Sequence, residues 1–200
     1  SACMASNLHR LPRDIDLIVG VPRSGYLAAT LLALHLNLPL TDVKGLLEGR
    51  LMDGGNRLSG SVPDDPRQCK KVLVLDDSIL TGNSMAEVRR RLEDAAIQAE
   101  LVYATVYGTK RSRNLVDICL EVCEWPRMFE WNYMHHPFLA EACVDIDGVL
   151  CADPSKHQND DGPRYREFML TTRPLYIPSR KVFALVTARL EKYRTETEEW

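Results

Sequence analysis

Asp76 and Asp77 stand side by side directly after four apolar residues, Val72 to Leu75, and Thr81-Gly82-Asn83-Ser84 follows shortly after them. Adjacent carboxylates accept hydrogen bonds from sugar hydroxyls and oppose positive charge that develops beside them. Hydroxyls, a glycine and the backbone N–H groups at a helix N-terminus do the opposite, since they suit a phosphate. Two neighbouring acids cost electrostatic energy that a purely structural loop has little reason to bear. The elements that must hold them are legible. Val72 to Leu75 has the apolar run of a buried parallel strand, Ser78 to Ser84 reads as a loop, and Met85 to Ala95 has helical spacing. In an open α/β sheet, ligands bind beyond the carboxyl ends of the strands, which is where this spacing puts both acids.

A second strand–turn–helix lies upstream. Asp16 to Val21 reads as a buried strand, Pro22-Arg23-Ser24-Gly25 as a tight turn, and Tyr26 to Leu36 as an apolar, alanine- and leucine-rich helix. Such a turn makes a second anion site, and Arg23 could supply charge-assisted hydrogen bonds to a diphosphate. The run of apolar residues, two acids and Thr-Gly-x-Ser resembles the phosphoribosyl diphosphate (PRPP) signature of the type I phosphoribosyltransferases. The resemblance implies a transferase that displaces diphosphate from PRPP by a nitrogen acceptor such as a nucleobase, with Mg²⁺ as cofactor. It implies that Asp76 and Asp77 hold the ribose hydroxyls, and that Ser78, Thr81, Gly82, Asn83 and Ser84 complete the PRPP site. Pro22, Arg23, Ser24 and Gly25 would then form the diphosphate loop.

Leu38 to Val43 reads as another short strand. Gly45 to Arg67, with five glycines, two prolines and little periodicity, reads as a long loop. By resemblance it is the flexible catalytic loop that closes over PRPP. Arg50, Arg57 and Arg67 are its candidate cations, with Arg50 the first choice as catalytic residue. Glu100 to Tyr107 and Val116 to Val122 read as strands, and Lys110 to Arg113 as a basic turn. The order suits a doubly wound, mostly parallel sheet. No Gly-x-x-x-x-Gly-Lys-Ser/Thr occurs, which excludes a P-loop nucleotidase. The acceptor would be read by a hood from residues 4–13, 123–134 or both.

Glu124 to Tyr133 holds a proline and several aromatics and is read as a junction between a first domain, 5–134, and a second, 135–200. In the second, Ala142 to Leu150 places Asp145-x-Asp147-Gly148 after a short apolar strand, and Val182 to Thr187 is another such strand ending in threonine. These resemble motifs one and two of the haloacid dehalogenase (HAD) superfamily. They imply an incomplete Rossmann-like α/β segment with Asp145 as nucleophile and Asp147 as general acid/base. Both would also bind Mg²⁺, with Gly148, Thr187 and Ala188 at the phosphate. The superfamily's third and fourth motifs are missing between Ala188 and Trp200, so no phosphatase turnover is expected of this chain. Cys151 to Arg180 between the two strands reads as an irregular insertion.

With 45% apolar and 26% charged residues, the composition is that of a soluble globular protein. A net charge of −3 gives no argument for nucleic acid or an anionic membrane as partner. The N-terminus lacks the basic and apolar regions of a signal peptide, so a cytoplasmic location with reduced cysteines is expected. Cys119 and Cys123 lie in a strand-like region without accompanying histidines, so they do not read as a zinc site. The expected partners are PRPP and a small-molecule acceptor, and a homodimer is compatible with this reading. Two other functions stay open: a PRPP- or nucleotide-binding regulatory module without catalysis, and a longer protein whose main activity is the HAD phosphatase.

Overall fold

Strand β1 (Leu17–Gly20) is buried along its whole length, because it lies inside a sheet covered on both faces. The computed structural model describes residues 2–52, 54, 55, 58 and 63–200. They fall into two compact units, Ser1–Arg127 and Met128–Trp200.

The first unit holds five parallel strands in the order β2-β1-β3-β4-β5, where β2 is Leu40–Asp42, β3 Lys71–Ile79, β4 Glu100–Gly108 and β5 Ile118–Val122. Helix α2 (Ser24–Leu36) covers one face through Ala28, Ala29, Leu32 and Ala33, which meet Ile18, Leu73, Leu75 and Ala104. The short helix α1 (Ala2–Asn7) adds Met4 to the same cluster. Small residues let α2 lie close to the sheet. A Cβ on Gly20 would stand 2.6 Å from the Cα of Tyr26. The other face is covered by α3 (Val43–Glu48) and α4 (Asn83–Asp94). Their Val43, Leu46, Met85, Val88 and Leu92 pack on Leu17, Val19, Val72 and Val74. The alternation of apolar residues between the two clusters is the period-2 geometry of a strand.

Four expectations need correction. The stretch from Gly45 does not begin as a loop, and the preceding strand stops at Asp42 instead of Val43. The carboxylate of Asp42 accepts the Gly45 N–H, Gly49 takes the left-handed conformation (φ +70°), and the six residues between them close as helix α3. A turn Pro66–Gln68, capped by Asp65, likewise orders the end of this stretch. Strand β3 does not end at Leu75 but runs through both acids to Ile79, because β4 continues to pair with it at Ser78↔Tyr107 and Ile79↔Gly108. The loop after it is therefore short, and Asn83 and Ser84 are the first residues of α4.

The second unit has two parallel strands, β6 (Cys143–Asp145) and β7 (Ala184–Val186), in the register Cys143↔Ala184, Val144↔Leu185, Asp145↔Val186. The insertion between them is not wholly irregular. Pro163 opens helix α5 (Pro163–Thr171), whose Tyr165, Phe168 and Met169 pack with Tyr193, just before α6 (Arg194–Glu199). No helix among the described residues is long and apolar enough to cross a membrane.

Candidate functional site

The order of strands in the first sheet reverses between β1 and β3, so the loops leaving these two strands diverge to opposite faces and open a crevice. The turn Pro22–Gly25 leaves β1, the acids lie in the last part of β3, and Thr81–Ser84 follow it. The structure joins them directly. Ser24 Oγ donates to Asp77 Oδ1 at 3.0 Å, and Asp77 N–H donates to Asp76 Oδ1 at 2.8 Å. Gly25 packs on the first acid so closely that a Cβ there would lie 2.6 Å from Asp76 Oδ1 and 2.9 Å from its Cα. Arg23 at the start of α2 is exposed, and the Pro22–Arg23 peptide is cis.

The electrostatics fit a site that lacks a counter-charge. Asp77 is buried and Asp76 half-buried. Burial, with the hydrogen bond and charge of Asp77 beside it, pushes the Asp76 carboxyl up to about 8. A pair in this condition accepts hydroxyl donors readily and gains from any cation brought to it. Gly82 (φ +84°) turns the chain into α4, and Thr81 Oγ1 accepts the Asn83 N–H at 3.5 Å. Thr81, Asn83 and Ser84 are exposed around the first-turn amides of a 12-residue helix, a donor set suited to a phosphate. Ser78 is half-buried within β3.

Among the described residues no group of three or more His, Cys, Asp or Glu side chains could hold a metal. Two carboxylates are still compatible with Mg²⁺, which is commonly held by one or two carboxylates together with substrate phosphates.

Arg50 is fixed near the same end of the sheet. Its carbonyl accepts Thr41 Oγ1 at 2.6 Å, and its guanidinium lies 3.8 Å from both Asp42 and Glu48. Arg67 is committed to a forked pair with Asp65, at 2.6 to 3.0 Å. Arg57 lies outside the described residues.

Two anchors escape sequence reasoning. Ser112 Oγ and Arg127 Nη2 both donate to Ile79 O at 2.8 Å, tying the segments after β4 and β5 to the end of β3. They are 33 and 48 positions from Ile79, and no local pattern announces them.

The profile of the Phosphoribosyl transferase domain family matches residues 2–139. The chain belongs to this family. A xanthine-guanine phosphoribosyltransferase of Chromohalobacter salexigens is 32% identical over 106 residues, which are 52% of this chain and 60% of that protein. The match thus spans less than two thirds of the relative. Among solved structures, the Helicobacter pylori xanthine-guanine-hypoxanthine phosphoribosyltransferase overlays with a TM-score of 0.44 at 18% identity, over 65% of this chain and 82% of that one. The purine phosphoribosyltransferase of Pyrococcus horikoshii gives 0.44 at 20% identity, over 65% and 86%. Membership rests on the matched positions, not on these overlays.

The phosphoribosyl transferase match stops short of the second carboxylate pair. There Asp145, at the end of β6, is exposed and its Oδ1 accepts the Ile146 N–H at 2.8 Å. Asp147 is engaged by Arg189, whose Nε and Nη2 donate to its two oxygens at 2.8 and 2.7 Å. Partial burial pushes the Asp147 carboxyl up, but the hydrogen bonds and charge of Arg189 outweigh it and hold the group below its usual value. Thr187 Oγ1 stands 3.4 Å from the same carboxylate. Gly148 has φ +78° and packs on Asp153, while Ala188 is exposed.

Proposed function

We propose that the chain is a phosphoribosyltransferase that moves the phosphoribosyl group of PRPP to a purine base and releases diphosphate. The observation that carries the reading is the junction of Ser24–Gly25 with Asp76–Asp77 at the switch point of the sheet, in a chain of this family. Asp76 and Asp77 hold the two ribose hydroxyls and oppose the positive charge that builds on the ring as the bond to diphosphate breaks. Ser78 and Thr81–Ser84 anchor the 5-phosphate, so binding energy away from the reacting carbon positions it. Pro22–Gly25 receives the diphosphate, with Arg50 as the cation of the neighbouring loop. Mg²⁺, held by the carboxylate pair and the substrate, would neutralise charge on the leaving group.

The purine is supported by the likeness to a xanthine-guanine phosphoribosyltransferase. Lys110 and the exposed Trp125 follow the carboxyl ends of the neighbouring strands β4 and β5, where a hood for a base is needed. The domain of this activity, expected at residues 5–134, is the compact unit that ends at Arg127, and the HAD-like segment, expected at 135–200, lies in the unit that begins at Met128. Parallel pairing that puts Asp145 and Thr187 at adjacent strand ends supports the second assignment. Asp145 is its nucleophile, and Gly148, Thr187 and Ala188 line its phosphate site. With both oxygens of Asp147 on Arg189, neither general acid work nor metal binding is open to it in this arrangement, so no hydrolysis is expected.

Diphosphate release from PRPP and Mg²⁺ across a panel of nucleobases tests the transferase. A regulatory module that binds PRPP without turnover is favoured by one observation: Arg50 and Arg67 both already face carboxylates. PRPP binding without release for any base would decide for that second reading.

A further inference from the structure

We propose that Arg189 is the anion-binding residue of the second unit, and that Asp147 fills its guanidinium fork as an internal stand-in for a phosphate monoester. The proposal rests on reading this unit as a phosphate site, and adds the residue that does the binding and the contact that blocks it.

The Arg189 side chain is only 1% exposed, whereas that of Asp147 is 17% exposed. A buried guanidinium must face an anion, and here the carboxylate is the more open half of the pair. Four donors converge on it: Nε at 2.8 Å, Nη2 at 2.7 Å, the Thr187 hydroxyl at 3.4 Å and the Cys151 thiol at 3.4 Å. The Arg189 N–H donates to Thr187 Oγ1 at 3.1 Å, which leaves the hydroxyl proton free to point at the carboxylate. Parallel N–H donors from a guanidinium match phosphate oxygens as well as carboxylate oxygens.

The donor set also exceeds what Asp147 uses. Nη1 of Arg189 is buried and makes no hydrogen bond to any described residue. A planar carboxylate offers two oxygens to the four donors that converge on it, where a phosphate offers three or four, so the larger anion suits this donor set. Asp145, the exposed acid two positions before Asp147, stands at the end of the adjoining strand. With both oxygens of Asp147 paired to Arg189, the fork itself, and not a cation on Asp147, is the feature that receives the anion.

The test is a titration of the full chain with inorganic phosphate in EDTA, followed through the ¹⁵N-labelled Nε–H of Arg189. This N–H is one of the two donors of the fork, so the signal reports that contact directly. Asp147→Asn should bind phosphate about tenfold more tightly than the parent at this signal, since one charged competitor is gone. Arg189→Lys in that background should lose the gain. Equal affinities in parent and Asp147→Asn, or an unmoved Arg189 signal, overturn the proposal. Should Asp147→Asn unfold the unit, the parent alone still decides. High phosphate must release the Asp147 carboxylate, seen as a ¹³C shift, and an unchanged carboxylate overturns the proposal. Phosphate binding without hydrolysis of any monoester in a longer chain would sink the phosphatase reading alone. Hydrolysis with Arg189 unmoved would sink only the present proposal.

Discussion

Asp76→Asn should make the unliganded protein more stable above neutral pH while destroying its activity. The Asp76 carboxyl titrates at about 8 in the folded chain against 3.8 for an ordinary aspartate, because burial and Asp77 penalise its charge. A carboxyl whose folded value is raised contributes stability that is fully present below about pH 4 and lost as pH rises through about 8. At about 1.4 kcal/mol per pH unit, that interval sets an upper limit of roughly 6 kcal/mol. Residual water around the half-buried side chain lowers the expected figure to about 2 kcal/mol. Asparagine keeps the oxygen that accepts the Asp77 N–H and carries no charge, so the variant lacks this pH dependence. Urea unfolding in EDTA at pH 5 and pH 8.5, with parent and variant side by side, measures the difference. The two should differ least at pH 5, and the variant should gain on the parent as the pH rises to 8.5. Parallel stability profiles, or a variant weaker at pH 8.5, would refute the electrostatic reasoning. Stability gained where function is lost is the mark of a site strained for use.

Two other substitutions probe the same crevice. Gly25→Ala puts a methyl group against Asp76 Oδ1 and Cα, and should cost about 1–3 kcal/mol in a thermal melt. An unchanged melting temperature would mean that the turn and β3 are not as closely packed as described. Arg23→Ala, at an exposed position, should leave the melt unaltered but raise KM for PRPP about tenfold, the worth of one charge-assisted hydrogen bond. A KM equal to the parent's would remove Arg23 from the diphosphate loop.

The acids and the turn were legible because each follows an unbroken apolar run, and buried parallel strands leave that trace. Helix α3 was not. It has six residues, too few to show a helical period, and it depends on the Asp42 cap and the left-handed Gly49. The extension of β3 to Ile79 was hidden for another reason. It is set by pairing with β4, and charged residues in the middle of a strand look like its end. Helix α5 could have been found from Pro163 and the spacing of Tyr165, Phe168 and Met169, but it lies in a stretch dominated by polar residues and prolines. The anchors on Ile79 and the Asp147–Arg189 pair are long-range contacts, the latter spanning 42 positions, and only the folded chain brings them together.

Asp76 and Asp77 are the proposed ribose-holding pair of a transferase. Diphosphate release from PRPP and Mg²⁺ with xanthine or guanine, compared between parent, Asp76→Asn and Asp77→Asn, tests this role most directly. Base-dependent release in the parent that falls at least about a hundredfold in both variants is the predicted result. Release that survives either substitution, or PRPP binding with no release for any base, would contradict it.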